Sequence, residues 1–208
     1  ADEVWREMLL ETMNHLCQAV DRGALDRSLS ESDPAYRVNV GKFRGFSAPG
    51  RTRQHSIFNG LNDIRKYAGD SDYVFVHDAA RPFVSFSLIA DCIEAVKGHD
   101  GVLPVLPMKD TVYFSGDGRK ISSLLERSRV YAGQAPELFV LGKYYEANRQ
   151  LSPDGILKIN GSTEPAVLAG MDIVMIPGDE KNFKITTAAD LERFQEIVQN
   201  NKMIEPLG

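Results

Sequence analysis

The feature that most constrains this fold is a recurring pair: a short, wholly apolar run, then a stretch with apolar residues at helical spacing. Tyr73-Val74-Phe75-Val76 is continuous apolar sequence, as expected of a strand buried on both faces. Ser85 then stands in the capping position of a helix carrying Leu88, Ile89, Cys92, Ile93 and Val96. Val102–Leu106 and Met171–Ile176 read as further buried strands, and Leu138–Leu151 as a helix. Thr187 and Asp190 give a capping-box-like start to a last helix whose inner face is Leu191, Phe194, Ile197 and Val198. Earlier in the chain, Ile57, Leu61 and Ile64 predict a helix over Gln54–Tyr67. Trp5, Leu9, Leu16 and Val20 predict another over Val4–Val20. Between these two helices, residues 21–41 read as a polar surface excursion and Phe43–Phe46 as a short strand. Buried strands alternating with helices predict an α/β fold, with a Rossmann-like, mostly parallel sheet and helices on both faces.

Asp117-Gly118 interrupts the alternation. Flanked by Thr111–Phe114 and the stretch after Lys120, it is a strong hairpin signal. A protruding β-hairpin arm over residues 108–135 is therefore expected, as an excursion from one domain spanning 1–208. That length suffices for one domain with a real core. The net charge of -5 argues against nonspecific nucleic-acid binding. No apolar run approaches the roughly 20 residues that span a bilayer, and no basic-then-apolar leader is visible. Cys17 and Cys92 fall in helical segments and read as reduced core residues, so a cytoplasmic location is the expectation.

In an open parallel sheet, ligands bind beyond the carboxyl ends of the strands. His77-Asp78-Ala79-Ala80-Arg81-Pro82 directly follows the Tyr73–Val76 run. Asp78 there can hold a sugar hydroxyl or a metal–phosphate cluster, and the alternative is a structural Asp78–Arg81 pair closing a turn. Gly50-Arg51-Thr52-Arg53-Gln54-His55-Ser56 opens a helix. Its two arginines oppose the helix dipole by about 0.3–1 kcal/mol each unless an anion sits among them. Lys42 and Arg44 extend this basic stretch within an acidic chain, which suggests a phosphate site; the alternative is a solvated basic face. Lys184 alternates with Phe183 and Ile185 between a strand and the last helix, so it can neutralise a transferring phosphoryl group or be an ordinary surface lysine. Arg127-Ser128-Arg129, followed by Gly133-Gln134-Ala135-Pro136, offers an arginine able to grip a phosphate bidentately.

Other signals are set aside. Asp70-Ser71-Asp72 precedes its strand and so lies at the wrong end of the sheet for a metal-binding pair. There is no Gly-x-Gly-x-x-Gly, no Gly-x-Ser-x-Gly elbow, and no metal-ligand spacing among His15, His55, His77 and His99.

Taken in order, these segments resemble the 2-C-methyl-D-erythritol 4-phosphate cytidylyltransferase family, and the related ribitol-5-phosphate cytidylyltransferases share most of the pattern. The matching stretches are Gly50–Ile57 with Asn59-Gly60-Leu61, Val76–Pro82, Pro107–Thr111, Glu126-Arg127-Ser128, Gln134-Ala135-Pro136, and Asn182–Thr186 with Asp190-Leu191. The resemblance implies a nucleotide-diphospho-sugar transferase-like fold and a reaction of isoprenoid biosynthesis. A substrate phosphate oxygen attacks the α-phosphate of CTP and pyrophosphate leaves, with no covalent enzyme intermediate. It further implies that Lys184 stabilises the α-phosphate, Arg127 binds the polyol phosphate and Asp78 contacts substrate hydroxyls. Gly50, Arg51, Arg53, Ser56 and Ala79 then line the nucleotide site, Ala135 and Thr163 the substrate site, and magnesium bridges the triphosphate. The arm is expected to pair two subunits as a homodimer and carry Arg127 into the neighbour's site.

The chain departs from the family in four places. An opening strand and glycine-rich loop, with the arginine and lysine that hold the triphosphate, do not precede the basic stretch; the expectation is that they lie ahead of Ala1. Ala135 stands where the family usually has Thr, Ser162-Thr163-Glu164-Pro165 replaces a Thr-Asp-Glu-Ala pattern, and residues 21–41 look longer than usual. These changes bear on the acceptor more than on the reaction type. Pro107–Thr111 leans toward methylerythritol 4-phosphate, and Lys184-Ile185-Thr186-Thr187 slightly toward ribitol 5-phosphate. A non-catalytic nucleotide-binding homologue and a nucleotide-sugar glycosyltransferase are the readings from other classes. All of these expectations require Arg53, Asp78, Arg127 and Lys184 to converge, within one chain or across a dimer.

Overall fold

Strand β2 (Gly101–Pro107) is the axis of the sheet, paired along both edges. The computed structural model describes residues 45–202, so the expected Val4–Val20 helix, the 21–41 excursion, Cys17 and the first half of Phe43–Phe46 lie outside the described residues. Residues 45–50 have no regular structure. The elements that follow are α1 (Arg53–Ile64), β1 (Tyr73–Val76), α2 (Phe86–Ala95), β2, the hairpin strands β3 (Tyr113–Phe114) and β4 (Ser123–Leu124), β5 (Tyr131–Gly133) and β6 (Glu137–Val140). The chain continues through α3 (Leu141–Leu151), α4 (Glu164–Leu168), β7 (Ile173–Pro177) and α5 (Ala188–Lys202).

On one edge β2 lies parallel to β7, with Val102 opposite Val174; on the other it runs antiparallel to β5 and β6, and β6 in turn pairs antiparallel with β1. Strands β1, β2 and β7 thus point the same way, as the strand–helix alternation predicts, and the α/β class holds. Residues 131–140 run against them between β1 and β2. This corrects one expectation: Leu138–Val140 is strand, and the helix begins only at Leu141. The run Leu138-Phe139-Val140-Leu141 is apolar enough for either state. Pairing decides, because Leu138 and Phe139, both 0% exposed, bury on opposite faces of the sheet.

One face carries Leu61 of α1, Val74, Val76, Phe139, Leu141, Tyr144 and Ala166. The other carries α2, whose Leu88, Ile89 and Cys92 pack toward Val102, Leu138 and Ile176. Helices on both faces are what a sheet apolar on both sides demands. Cys92 is a free, buried thiol whose pKa burial pushes up to about 12, as a core residue should be. Ser85 caps α2 by accepting from Leu88 N, and Thr52 caps α1 by accepting from His55 N. Thr187 and Asp190 form a reciprocal capping box at α5. Among the described side chains of α5, however, Phe194 alone is fully inside at 5% exposure; Leu191, expected on the inner face, is 38% exposed.

The arm is present. Phe114 pairs with Ser123, and the turn holds Gly118 at φ 68°, a conformation that favours glycine. Among the described residues no helix is long and apolar enough to cross a membrane.

Candidate functional site

Three loops leave the sheet at one edge and are bolted to one another. The loop after β1 turns through a hydrogen bond from Arg81 N to Asp78 O, and His77 Nε2–H donates to the Arg81 carbonyl at 2.9 Å. Arg81 Nη1 donates to Asn182 O at 2.8 Å and Ile185 N to Ala80 O at 2.8 Å, tying this loop to the one after β7. The segment between β5 and β6 joins them. Gln134 donates to the carbonyls of Asp179 and Asn182 and accepts from Asp179 N, while buried Asn182 donates to Ala135 O at 2.8 Å. The loop after β7 is therefore hydrogen-bonded to both of the others and holds them in place.

Asp78 stands at the centre, at the carboxyl end of β1. Arg53, in the first turn of α1, places Nη2 at 2.5 Å and Nε at 3.1 Å from Asp78 Oδ1. Lys184 Nζ lies 3.1 Å from the other oxygen, Oδ2, and Arg81 Nε 3.7 Å from it. Burial alone would raise the Asp78 carboxyl; hydrogen bonds and charge from Arg53 and Lys184 outweigh it and hold the group below its ordinary value. Three cations thus face one firmly ionised carboxylate. They line a cleft of about 310 Å³, to which Ala135, Glu137 and Thr163 also contribute. Around Asp78 itself three cations meet one carboxylate, while Glu137 and Glu164 line the same cleft, so the Asp78 rim is the part suited to holding phosphate groups.

Of the four residues required to converge, Arg53, Asp78 and Lys184 do so. Arg127 does not, within one chain. It sits in a single 3₁₀ turn beyond the hairpin, donates from Nη1 to Lys109 O at 2.8 Å, and lines a separate depression with Pro107, Met108, Lys109 and Ser128. The reason is topological: β5 pairs with the last residues of β2, Val105–Pro107, beyond the level where β6 pairs with β1, and the arm projects outward from there.

Gly50 and Ser56 form the entry to α1, where Gly50 N donates to Ser56 Oγ at 2.9 Å. A Cβ on Gly50 would meet backbone atoms of His55 and Ser56 at 2.5 Å, so only glycine fits. Arg51 N donates to His55 Nδ1 at 3.2 Å, and Ala79 is exposed in the turn beside Asp78. None of Gly50, Arg51, Ser56 or Ala79 lines the Asp78 cleft, whereas Ala135 and Thr163 do. The set-aside Asp70 and Asp72 are consumed at the opposite end of β1, by Arg65 and by Gly69 N. Sequence reasoning missed Glu137, a buried carboxyl in the cleft, and the bracing roles of Gln134 and Asn182. Gln134 and Asn182 lay within motifs already singled out, whereas Glu137 falls one residue past Gln134-Ala135-Pro136 and carried no such signal.

Residues 37–200 match the family profile of 2-C-methyl-D-erythritol 4-phosphate cytidylyltransferase. The chain is 34% identical over 150 residues to the protein of that name from Roseobacter denitrificans, spanning 72% of this chain and 64% of the relative. It is 30% identical over 161 residues to a ribitol-5-phosphate cytidylyltransferase from Streptococcus agalactiae serotype V, spanning 77% and 67%. The crystal structure of 2-C-methyl-D-erythritol 4-phosphate cytidylyltransferase from Francisella tularensis superposes with a TM-score of 0.64 at 31% identity, over 71% of this chain and 68% of that one. The chain spans 36%, 38% and 64% of the length of the first curated relatives it matches.

Proposed function

The chain belongs to the 2-C-methyl-D-erythritol 4-phosphate cytidylyltransferase family, and on that premise we propose that it transfers CMP from CTP to a polyol phosphate with release of pyrophosphate. One observation carries the reading. Asp78, at the end of a buried strand, is gripped on one oxygen by Arg53 and on the other by Lys184, in a cleft that Arg81 also lines.

The reaction is a displacement at phosphorus. A phosphate oxygen of the acceptor forms a bond to the α-phosphorus of CTP as the α–β bridging bond breaks and pyrophosphate departs. A direct displacement needs no nucleophile from the protein, so the site's contribution in this reading is positioning and charge neutralisation. Lys184 neutralises the α-phosphate in this reading, because its side chain is 39% exposed and its ammonium is held by a single carboxylate oxygen. Asp78 keeps Arg53 and Lys184 oriented until phosphate oxygens compete for them. Gly50, Arg51 and Ser56, at the N-terminus of α1, serve the nucleotide in this reading, together with Ala79. Magnesium enters as the nucleotide's own counter-ion. No three His, Cys, Asp or Glu side chains cluster as a metal cage among the described residues, and both Asp78 oxygens already face cations, so magnesium would arrive with the triphosphate and add to the neutralisation of its charge.

Methylerythritol 4-phosphate is the proposed acceptor, and ribitol 5-phosphate is the second reading, carried by the 30% identical streptococcal relative. Arg127 serves the acceptor's phosphate from a second subunit. The arm supports such a homodimer, since Tyr113, Phe114, Ile121 and Leu124 expose more than half their surface along it. A cytoplasmic location belongs to the same proposal.

The test is pyrophosphate release from CTP by the full-length protein, with methylerythritol 4-phosphate, erythritol 4-phosphate and ribitol 5-phosphate as acceptors. Release with the first above the others is expected. No release with any of them would leave a nucleotide-binding homologue as the better reading.

A further inference from the structure

Three side-chain atoms lining the Asp78 cleft are buried without a hydrogen-bond partner among the described residues: Glu137 Oε2, Thr163 Oγ1 and Arg81 Nε. Arg81 Nε still faces Asp78 Oδ2 at 3.7 Å, but native proteins rarely leave buried polar atoms unbonded, and Glu137 Oε2 and Thr163 Oγ1 together in one cleft point to a ligand that bonds them. Glu137 is the most unusual of the three. It is 8% exposed and is the first residue of β6, opposite Val76 of β1, so a ladder fixes its backbone beside the strand that delivers Asp78.

The cleft does not offer Glu137 a cation of its own. Arg53 is committed to Asp78, and Arg81 donates to the Asn182 carbonyl. Burial pushes the Glu137 carboxyl above its ordinary 4.5, against the opposing pull of Ser162, Arg53 and Thr163. A carboxyl in this position repels phosphate and suits a neutral partner. The Thr163 hydroxyl beside it can donate to an alcohol oxygen while Glu137 Oε2 accepts the alcohol's hydrogen. Ala135, 3% exposed on the same cleft, has no hydroxyl to compete for that task.

We infer that Glu137, acting with Thr163, is the specificity-determining residue that reads a hydroxyl of the acceptor alcohol in this cleft. The inference rests on the cytidylyltransfer reading and deepens it, by locating what separates one polyol phosphate from another. Phosphate groups are held by the cations around Asp78, whereas carbon-chain hydroxyls are sorted by Glu137.

The experiment pairs a residue change with a substrate change in the full-length protein. Wild type, Glu137→Leu and Glu137→Gln are assayed for kcat/KM with the preferred polyol phosphate, with its monodeoxy analogues, and with 2′-deoxy-CTP in place of CTP. Binding of each polyol phosphate is followed in parallel by calorimetry. In wild type, one deoxy analogue is expected to lose about 10- to 100-fold, the usual penalty when a buried polar group is left unpaired. In Glu137→Leu the parent substrate should fall to the level of that analogue, while the analogue itself changes little; Glu137→Gln should recover part of the discrimination. The melting temperature of Glu137→Leu at neutral pH should equal or exceed that of wild type, because burial opposes the ionised carboxyl more than its neighbours favour it. A uniform loss across all substrates, a clear drop in melting temperature, or coupling to the ribose hydroxyl of the nucleotide would each overturn the inference. Wild-type turnover with unchanged selectivity in the variants sinks the Glu137 assignment alone. Absence of turnover with retained, Glu137-dependent binding sinks only the reaction. Absence of both sinks the two together.

Discussion

Arg53 Nη2 lies 2.5 Å from Asp78 Oδ1, which joins the first turn of α1 to the end of β1 across 25 positions of sequence. That contact converts an unfavourable feature into a useful one. An arginine at a helix N-terminus opposes the dipole, and here Asp78 answers it while the Arg53 side chain stays 40% exposed. Asp78→Asn should therefore disturb function more than folding. Because Arg53 and Lys184 are both partly solvated, the stability loss is expected to be about 1 kcal/mol, read by thermal or denaturant melting. Turnover should fall by at least about 10-fold, since two cations lose the group that orients them.

Lys184 binds the same carboxylate from the opposite side, 3.1 Å from Oδ2. If it neutralises charge that develops during phosphoryl transfer, Lys184→Ala should lower kcat by about 100- to 1000-fold and move KM for CTP only slightly. Steady-state pyrophosphate release separates the two constants. A change confined to KM would assign the lysine to ground-state binding instead.

Arg127 is where the single chain and the proposed site part company. Its guanidinium is engaged with the Lys109 carbonyl, outside the Asp78 cleft. If the arm delivers it to a second subunit, Arg127→Ala and Lys184→Ala damage the same site from different chains. Mixing the two inactive variants under conditions of subunit exchange should then restore activity to about a quarter of wild type, because half the dimers are mixed and each has one intact site. No recovery, with exchange verified, would place Arg127 outside its neighbour's chemistry.

Much of this architecture is legible in sequence because its signals are local. Ser85 and the Thr187–Asp190 pair announce helix starts through bonds spanning three residues, and Asp117-Gly118 announces a hairpin through one backbone conformation. The Asp78 loop was legible as a site because it follows an unmistakable buried strand. What was not legible depends on distant partners. Leu138-Phe139-Val140 becomes strand only because Tyr73–Phe75 and Gly101–Val102 lie on either side of it. Glu137 carries no sign in sequence of its burial, since a glutamate after proline reads as solvated until the sheet closes over it. The placement of Arg127 depends on a contact with the Lys109 carbonyl, 18 positions away.

Gly50 tests how tightly the entry to α1 is built. Its backbone N–H donates to Ser56 Oγ, and a methyl group there would lie 2.5 Å from the backbone of the helix. Backbone atoms cannot yield as a flexible side chain can, so Gly50→Ala should destabilise the protein by about 1–3 kcal/mol. The loss should appear as a lower melting temperature together with weaker CTP binding, because Arg53 is anchored by the same turn.

Glu137 and Asp78 should leave opposite marks on stability as pH changes. Asp78 titrates below its ordinary 3.8 in the folded chain, so its contribution is present above that value and is lost as pH falls through the depressed native pKa. Glu137 titrates above its ordinary 4.5 because burial opposes the charged form. At pH below 4.5 it is protonated in both states and costs nothing through titration. Between 4.5 and its raised native pKa the unfolded chain sheds the proton first, so stability declines across that window and the penalty persists above it. Replacing it by Gln removes this term. The stability difference between Glu137→Gln and wild type should therefore shift in favour of the variant as pH climbs from 4 to 7, and Asp78→Asn should shift the other way as pH climbs from 2 to 5. Melting curves of the three proteins across that range measure both slopes, and a pH-independent difference for Glu137→Gln would mean that this carboxyl stays solvated in the folded protein.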